Sequence, residues 1–356
     1  MNTCFISFNI MNNSTSDYFV VLSNKLAEEF QVVVITHKIR KTNVSLDDSI
    51  TVLKWPSRKT TSWKNFWFLC KLMRVYKPSM IISMFGFVNL YLIAGWIFRV
   101  KTRLAWIRTL SSQYSQTRYK VIRKSKIYSL ATHIVTNSQA TKNDVVNFFK
   151  IPDHKVTILP NSVKDYSTSL EHINTSKNNF LYVGRLHRSK GIDVLIQSFA
   201  LALKKFPNIQ LSIIGHGAIL EELMELTSVL GVSNNITFLG EKNKKDVLEA
   251  YKESYCTIIP SNSEAFGFTV IEAMSVGTCV IGANNTGIKE IIIPEESGLL
   301  FETGNSKDLA TQIEKLIVNQ SLRDYLATNG YQRFLNLYEN DYATNRDFKF
   351  LNELSK

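Results

Sequence analysis

The sequence has few cysteines, and their spacing builds no site. Cys4, Cys70, Cys256 and Cys279 lie far apart in a chain of 356 residues, so they form neither a disulfide framework nor a paired metal-ligand spacing. We expect buried thiols in a reducing compartment. With 45% apolar and 20% charged residues, the chain is too apolar to be disordered, and its length corresponds to about two domains.

A secretory signal is also missing. Residues 1–12 have no basic start and continue directly into an apolar, strand-like stretch. One uncharged run, residues 79–98, reaches the length of about 20 residues that a membrane span needs. Gly86 and Asn89 divide this run into a short strand and a helix, so we interpret it as a buried strand-loop-helix unit. The sequence therefore predicts a cytosolic chain without a transmembrane segment.

Acidic residues are absent from residues 49–143, which hold 17 Lys and Arg and all five tryptophans. Residues 1–170 carry a net charge of +16, whereas residues 171–356 carry −4. Segment 54–77 mixes cations with bulky aromatics, a combination that suits an anionic membrane surface. A solvated lysine-rich face over core aromatics and a nucleic-acid surface are the alternatives. The acidic second half argues against a nucleic-acid partner.

Strand-like apolar runs alternate with helix-like runs in both halves, which predicts parallel strands joined by crossover helices. Residues 151–179 contain two prolines and a polar run, and we interpret them as a connection. The predicted fold is α/β, with two tandem Rossmann-like domains facing across an interdomain cleft. The first domain covers residues 1–170 and carries the basic surface expected to face a membrane. The second covers residues 171–356, and we expect its last helix to pack back on the first.

Residues 182–191, YVGRLHRSKG, place two cations in one loop after an apolar strand. Gly184 lets the backbone turn, and Arg185 and Lys190 follow five residues apart. Two cations at the end of a parallel strand can hold a diphosphate, the arginine as a fork and the lysine as a point charge. A basic loop of this kind is common, so the motif is weak by itself.

Residues 260–277, PSNSEAFGFTVIEAMSVG, separate Glu264 from Glu272 by seven residues. We place Glu264 in the loop before a helix and Glu272 two turns inside it. The helix start between them has free backbone N–H groups and a positive dipole end, which attract phosphate. Acids beside a phosphate are favourable where they accept hydrogen bonds from sugar hydroxyls. The alternative is two surface glutamates on an ordinary helix.

Together the two motifs resemble the retaining glycosyltransferases of family 4, which have the two-domain GT-B architecture. The resemblance covers residues 130–305 and is only architectural before them. The other matching segments are IIGHGAILEEL at 213–223, ITFLG at 236–240, NNTGIKEII at 284–292 and GLLF at 298–301.

This resemblance implies that residues 1–170 bind the acceptor and residues 171–356 the nucleotide sugar. It also implies roles for single residues. Arg185 and Lys190 would hold the donor diphosphate, Glu264 would contact the transferred sugar, and Glu272 would accept the ribose hydroxyls. His216 replaces the family's usual acid, and we expect it to be a loop residue rather than a catalyst. The resemblance implies no cofactor and no metal. Further donor contacts are implied at Gly184, Gly215, Gly217, Phe266, Gly267, Phe268 and Thr269.

Departures from the family pattern are concentrated in the acceptor half. The loop after the first strand has no glycine, and Asn161 is followed by Ser-Val-Lys instead of Gly-Val-Asp. Arg108 follows a strand near the point where many relatives have a histidine. We give Arg108 an anion-binding or acceptor role as a hypothesis. The acceptor itself is left open.

The resulting hypothesis is a retaining, metal-independent glycosyltransferase. It would move a sugar from a nucleotide donor, UDP-sugar first, to a lipid-linked or growing surface polysaccharide such as capsule or lipopolysaccharide. It would act in the cytoplasm, peripherally bound to the inner face of the cell membrane. The rivals are a non-catalytic nucleotide-sugar-binding partner, a basic nucleic-acid-binding protein and a nucleotide-sugar epimerase. The intact Glu264 argues against the first, and the basic half against the last.

Overall fold

The structure is a computed structural model that describes residues 2–40, 44–111, 117–167 and 178–355. Within these residues, thirteen strands and thirteen helices follow one another along the chain. The strands are β1 (Asn2–Ser7), β2 (Phe30–Thr36), β3 (Thr51–Lys54), β4 (Met80–Met84), β5 (Thr102–Ile107), β6 (His133–Thr136), β7 (Val156–Ile158), β8 (Asn179–Val183), β9 (Gln210–Ile214), β10 (Ile236–Gly240), β11 (Cys256–Ile259), β12 (Val280–Ala283) and β13 (Leu299–Phe301). The helices are α1 (Ser14–Leu26), α2 (Trp63–Tyr76), α3 (Val88–Ile97), α4 (Arg118–Tyr128), α5 (Gln139–Asn143), α6 (Ile192–Leu203), α7 (Leu220–Val229), α8 (Lys244–Glu253), α9 (Phe268–Met274), α10 (Ile288–Ile291), α11 (Ser306–Val318), α12 (Gln320–Leu337) and α13 (Asn340–Ser355).

The chain divides into two compact units. The first consists of Met1–Val163 with Asn340–Lys356, and the second of Lys164–Glu339. The predicted boundary between residues 170 and 171 lies outside the described residues. The charge difference remains with these limits, since the first unit carries +16 and the second −4.

Each unit is built on a parallel sheet, as predicted. Within the described residues, the order of the first sheet is β3-β2-β1-β4-β5-β6-β7 and that of the second is β10-β9-β8-β11-β12-β13. The interpretation of residues 151–179 as a connection alone was wrong, because β7 is the edge strand of the first sheet. A strand of three residues is too short to produce a periodic sequence signal.

In each sheet the strand order reverses beside its first strand. The reversal lies between β1 and β4 in the first sheet and between β8 and β11 in the second. Loops that leave the carboxyl ends of two such strands turn to opposite sides of the sheet, which opens a crevice for ligands. The topology therefore marks one candidate binding position in each unit.

The first sheet is buried on both faces. Along β1, Cys4 and Ile6 belong to one apolar cluster and Phe5 to the other. Val33 and Val34 of β2 divide in the same way. Successive side chains of a strand point to opposite faces, so continuous apolar runs are needed when helices cover both.

Helix α13 completes one of these faces by packing against α1. Leu351 and Ala343 are fully buried in the same cluster as Cys4 and Ile6. Polar contacts fix the helix as well: Tyr18 donates a hydrogen bond to the buried carboxylate of Asp347. Arg346 Nε lies 2.6 Å from the same carboxylate. Burial raises the pKa of Asp347, while the charge of Arg346 opposes that shift.

Residues 79–98 form β4, a short 3₁₀ turn and α3, as the sequence predicted. No helix among the described residues combines the length and the apolar character that a bilayer crossing requires. All four cysteines are buried free thiols.

We predict that Leu351→Ala destabilises the first unit by about 2–5 kcal/mol, because it leaves a cavity in a core that cannot fully collapse. All five tryptophans lie in this unit, so tryptophan fluorescence during urea unfolding reports on it selectively. Lys349→Ala, an exposed position on the same helix, is the control and should change the unfolding free energy by less than about 0.5 kcal/mol. Equal midpoints for the two variants would contradict the role given to α13.

Candidate functional site

The two sequence motifs of the second unit meet at the strand reversal. Strands β8 and β11 are hydrogen-bonded neighbours, so the loops that follow them leave the same edge side by side. Asn262 of the second loop donates its backbone N–H to the carbonyl of Ser189 at 2.9 Å and its side-chain amide to that of Arg188 at 3.3 Å. These bonds fix the two loops against each other.

Lys190 and Glu264 form an ion pair at this junction. Lys190 Nζ lies 2.6 Å from Glu264 Oε2, and the two side chains are 18% and 20% exposed. A pair so largely withdrawn from water is screened less by salt than a surface pair. The structure thus joins the residue predicted to hold the diphosphate with the one predicted to contact the sugar.

The other cations of this loop differ in their surroundings. The side chain of Arg185 is exposed, and its backbone carbonyl accepts a hydrogen bond from Tyr182 Oη at 3.1 Å. Arg188 turns to another partner, since its guanidinium lies 2.7 Å from Glu222 while both side chains remain largely exposed. Arg188 is therefore a natural control for Lys190.

The charges of the two glutamates act on two buried tyrosines. Burial raises the pKa of Tyr182, and the charge of Glu264 raises it further, whereas Arg185 lowers it. Burial also raises the pKa of Tyr251, with smaller increases from Glu272 and Tyr182. Each glutamate therefore disfavours the ionised form of one of these phenols.

Helix α9 is shorter than the sequence suggested. It covers Phe268–Met274 rather than residues 267–276, so Glu272 lies just beyond its first turn instead of two turns inside. Gly267 precedes it with φ of +115°, a conformation that side chains rarely adopt. Phe268 and Thr269 at the helix start are partly exposed. Phe266 is buried, and its ring packs edge-on against that of Phe268.

The glycine turn after β9 serves a close approach between two backbones. A Cβ atom at Gly215 would lie 1.8 Å from the carbonyl oxygen of Gly184, and one at Gly217 would lie 2.0 Å from that of Leu186. The backbone of His216 accepts a hydrogen bond from Leu186 N at 3.1 Å. A cavity of about 290 Å³ lies beside this contact. It is lined by residues that include Gly184, Arg185, Gly215, His216, Glu241 and Lys242.

The matching segment 284–292 holds the backbone of Glu264 in place. Thr286 Oγ1 donates to the carbonyl of Glu264 at 3.1 Å. A Cβ atom at Gly287 would lie 2.5 Å from the same oxygen, so only glycine allows this packing. Asn285 donates its side-chain amide to the carbonyl of Ser261. This loop therefore positions a residue that it does not itself contain.

Arg108, the predicted acceptor residue, lies in the first unit directly after β5. It is 9% exposed, and burial lowers the pKa of its guanidinium to about 10. Its Nη2 lies 3.5 Å from Thr15 Oγ1, and the ring of Phe19 lies 5.3 Å from the guanidinium carbon.

Nowhere in the described residues do three His, Cys, Asp or Glu side chains gather as a metal site would need. Metal independence stays a prediction, because it concerns the reaction and not the residue pattern.

Two family models match successive parts of the sequence. The model "Glycosyl transferases group 1" matches residues 169–333, and the model "Glycosyltransferase Family 4" matches residues 16–165. The chain belongs to the group 1 glycosyltransferases. This confirms the family resemblance, and the second match extends it into the half where the motifs were weak.

Relatives of this glycosyltransferase chain agree with the fold. The capsular polysaccharide biosynthesis glycosyltransferase CapM of Staphylococcus aureus is 29% identical over 58% of this chain and 58% of its own. Sucrose-phosphate synthase of Thermosynechococcus elongatus is 18% identical with a TM-score of 0.80 over 99% of both chains. Anabaena HepE, solved with UDP, is 16% identical with a TM-score of 0.78 over 99% of this chain and 100% of that one. The structural likenesses confirm two Rossmann-like domains of GT-B type.

The matched segments span only about half to two thirds of the length of the curated relatives.

Sequence reasoning missed several residues of the candidate site. Tyr182 stood inside a quoted motif, but an aromatic residue in a buried strand looks like core. Tyr251 comes from α8, and no sequence spacing relates that helix to Glu272. Gly287 also lay in a quoted motif, and a glycine without positive φ gives no turn signal that would have marked its close approach.

We predict that Gly215→Ala damages the second unit more than Gly231→Ala does. Both glycines have positive φ, but a Cβ at Gly231 meets nothing within 4 Å, whereas one at Gly215 collides with backbone. The open position should cost about 1 kcal/mol and the crowded one at least about 3 kcal/mol. The measurement is thermal unfolding followed by far-UV circular dichroism. A loss of secondary structure that is not accompanied by a change in tryptophan fluorescence belongs to the second unit, because all five tryptophans lie in the first. Similar melting temperatures would refute the close-approach explanation.

Proposed function

We propose that this protein transfers a sugar from a nucleoside diphosphate donor, first of all a UDP-sugar, to a lipid-linked or growing surface-polysaccharide acceptor. The observation that carries the proposal is the Lys190–Glu264 pair at the strand reversal of the second unit. Its position in a chain that matches both glycosyltransferase models supports a donor site there. UDP in the HepE structure and the capsule role in the name of CapM favour this donor and this acceptor class.

The leaving group explains the need for cations. Breaking the bond between the anomeric carbon and a phosphate oxygen leaves negative charge on the diphosphate, and stabilising that charge is usually the largest catalytic contribution. Lys190 and Arg185 would supply two positive charges, and the backbone N–H groups at the start of α9 would add to them. Glu264 would hold Lys190 before the donor binds, and afterwards it would accept hydrogen bonds from hydroxyls of the transferred sugar.

The reaction we propose retains the configuration at the anomeric carbon. The acceptor hydroxyl would attack from the face that the diphosphate leaves, and its proton would pass to the departing phosphate oxygen. The new bond joins the acceptor oxygen to the anomeric carbon. No protein nucleophile is required in this scheme, which follows from the family resemblance. We propose that no metal takes part, because the cations of the site neutralise the diphosphate.

Lys190→Met and Arg185→Ala should each lower turnover with the natural donor by about 30-fold to 1000-fold, equivalent to about 2–4 kcal/mol in the transition state. Arg188→Met is the matched control and should stay within threefold, because Arg188 pairs with Glu222. Release of the nucleoside diphosphate is the measurement. Full activity of Lys190→Met would overturn the role of Lys190 in holding the diphosphate.

Activity of the wild-type protein should also survive excess EDTA. A loss of activity in EDTA that magnesium restores would overturn the proposal that no metal takes part.

The two glutamates should separate kinetically. Glu272→Gln should mainly raise KM for the donor, because a ribose contact is equally strong in the ground and transition states. Glu264→Gln should mainly lower kcat, because this residue would lie beside the reacting carbon and holds Lys190. Steady-state kinetics with varied donor concentration make the distinction. Reversed phenotypes would mean that the two roles are exchanged.

We further propose that the protein acts in the cytoplasm, peripherally bound to the inner face of the cell membrane. The supporting surface is the exposed side of α2, called here the α2 face and formed by Trp63, Lys64, Trp67, Lys71 and Arg74. Trp63 and Trp67 are 75% and 63% exposed, which is unusual for the largest apolar side chains of a folded domain. Interfacial helices combine such aromatics with cations that meet anionic headgroups.

A basic cavity continues the α2 face at its carboxyl end. It has a volume of about 490 Å³ and lies where α2 and α3 end. Four of its lining residues are cations and none is acidic: Arg74, Lys77, Arg99 and Lys101. Trp96 and Ile97 are exposed next to it. Cations next to exposed apolar side chains suit an anionic membrane, whose headgroups attract the cations and whose apolar layer receives the apolar side chains.

Reversal of two charges on the α2 face, Lys64→Glu with Lys71→Glu, should weaken binding to vesicles of phosphatidylglycerol at least tenfold. Each Lys or Arg near such a surface contributes about 1 kcal/mol. The control is Lys245→Glu with Lys307→Glu, two exposed lysines of the second unit that change the net charge equally. Co-sedimentation of the full-length protein at low and high salt measures the effect. Equal binding of both variants would leave the membrane part of the proposal without support.

A further inference from the structure

A second cavity of the first unit lies at the carboxyl edge of its sheet. It has a volume of about 310 Å³, at the lower end of the about 300–1,000 Å³ that is typical of small-molecule sites. Gly86 follows β4 there, Arg108 and Thr109 follow β5, and Lys124 reaches it from α4. The cavity therefore lies one strand away from the reversal between β1 and β4, where the topology marks a binding position.

The charged groups that line this cavity are both positive. Burial lowers the pKa of Arg108 to about 10 and also lowers that of Lys124. The charge of Asp144 opposes the lowering of the Lys124 pKa, and this carboxylate accepts hydrogen bonds from the backbone N–H of Ser111 at 2.8 Å and from its hydroxyl. Asp144 does not line the cavity. Burial at one cavity disfavours the charged forms of both side chains, and an anionic ligand would offset this effect.

The neutral polar groups of the wall suit the same kind of ligand. Thr60, Thr61, Thr109 and Asn89 all line the cavity, and each can donate a hydrogen bond from its side chain. A phosphate has several acceptor oxygens and no donor when fully ionised, so hydroxyl, amide, ammonium and guanidinium donors around it are complementary.

The cavity also adjoins the α2 face. Thr60 and Thr61 line it and stand directly before Ser62, which caps α2, so Trp63 follows within two residues. The contact between Gly86 and Thr60 is close, because a Cβ at Gly86 would lie 3.0 Å from Thr60 Oγ1. An apolar chain that lies along the α2 face would thus bring its polar end to the mouth of the cavity.

We infer that this cavity binds the phosphate or diphosphate group of the acceptor, with Arg108 and Lys124 as its two cationic ligands. The inference rests on the proposed function and makes it more specific, since it requires a phosphorylated acceptor. Arg108 was expected in an acceptor role from the sequence, whereas Lys124 and the threonines are assigned by the structure.

The test is a calorimetric titration of the full-length protein with inorganic pyrophosphate while the donor site is saturated with UDP. Lys124→Met and Arg108→Met should each weaken pyrophosphate binding at least tenfold. Lys120→Met removes the same charge from the exposed side of α4 and should stay within twofold. Melting temperatures of all variants check the fold, and UDP affinity is measured separately in each. Arg108→Lys should retain part of the binding, because it keeps the charge and loses only the fork.

A second arm identifies the source of the phosphate. Farnesyl diphosphate should bind more tightly than pyrophosphate, and Trp63→Ala with Trp67→Ala should remove that advantage but leave pyrophosphate binding intact. Equal affinity of the two probes would overturn the lipid link and support a soluble phosphorylated acceptor. Pyrophosphate binding that is absent, or equal in Lys124→Met and Lys120→Met, would overturn the anion site. If the wild-type protein does not bind UDP, that result would instead count against the proposed function.

Discussion

The reversal of strand order between β8 and β11 is the constraint on which the candidate site of the second unit depends. Lys190 and Glu264 are 74 residues apart in sequence, yet each follows one of these two strands and they meet at 2.6 Å. If the strands were not neighbours, each side chain would be largely withdrawn from water without an opposite charge, which is costly. The topology and the ion pair therefore support each other, and the tight contacts at Gly215 and Gly287 keep the loops where the pair needs them.

The uneven charge of the chain has a structural counterpart. Residues 49–143 have no acidic side chain, and the described residues among them form β3 to β6, the helices between these strands and α5. Within this part of the first unit lie the α2 face, the basic cavity beside it and the cavity of Arg108. The second unit carries −4 overall, so anion binding there depends on a few cations placed locally rather than on the field of the whole unit.

Much of the fold could be predicted from the sequence, because alternating apolar strands and amphipathic helices are local patterns. The same holds for the position of Arg185, Lys190 and Glu264 in loops after strands and for that of Glu272 in the helix that follows. The short edge strands β3 and β7 were missed, since three or four residues carry no period. The approach of Tyr251 to Glu272 depends on how α8 packs beside α9, which no spacing encodes. The meaning of Gly215 likewise depends on a second backbone that lies outside its own segment.

The position of α13 in the sequence affects when the first unit can finish folding during synthesis. The chain leaves this unit after Val163 and returns at Asn340, whose backbone N–H bonds to the Val163 carbonyl at 3.1 Å. A ribosome makes the whole second unit before it makes the helix that closes the first core. Until then, the face that Leu351 covers remains open to solvent and to other chains. The second unit is continuous in sequence and can fold as soon as it emerges, so folding of this protein is expected to finish with its first residues rather than to start with them.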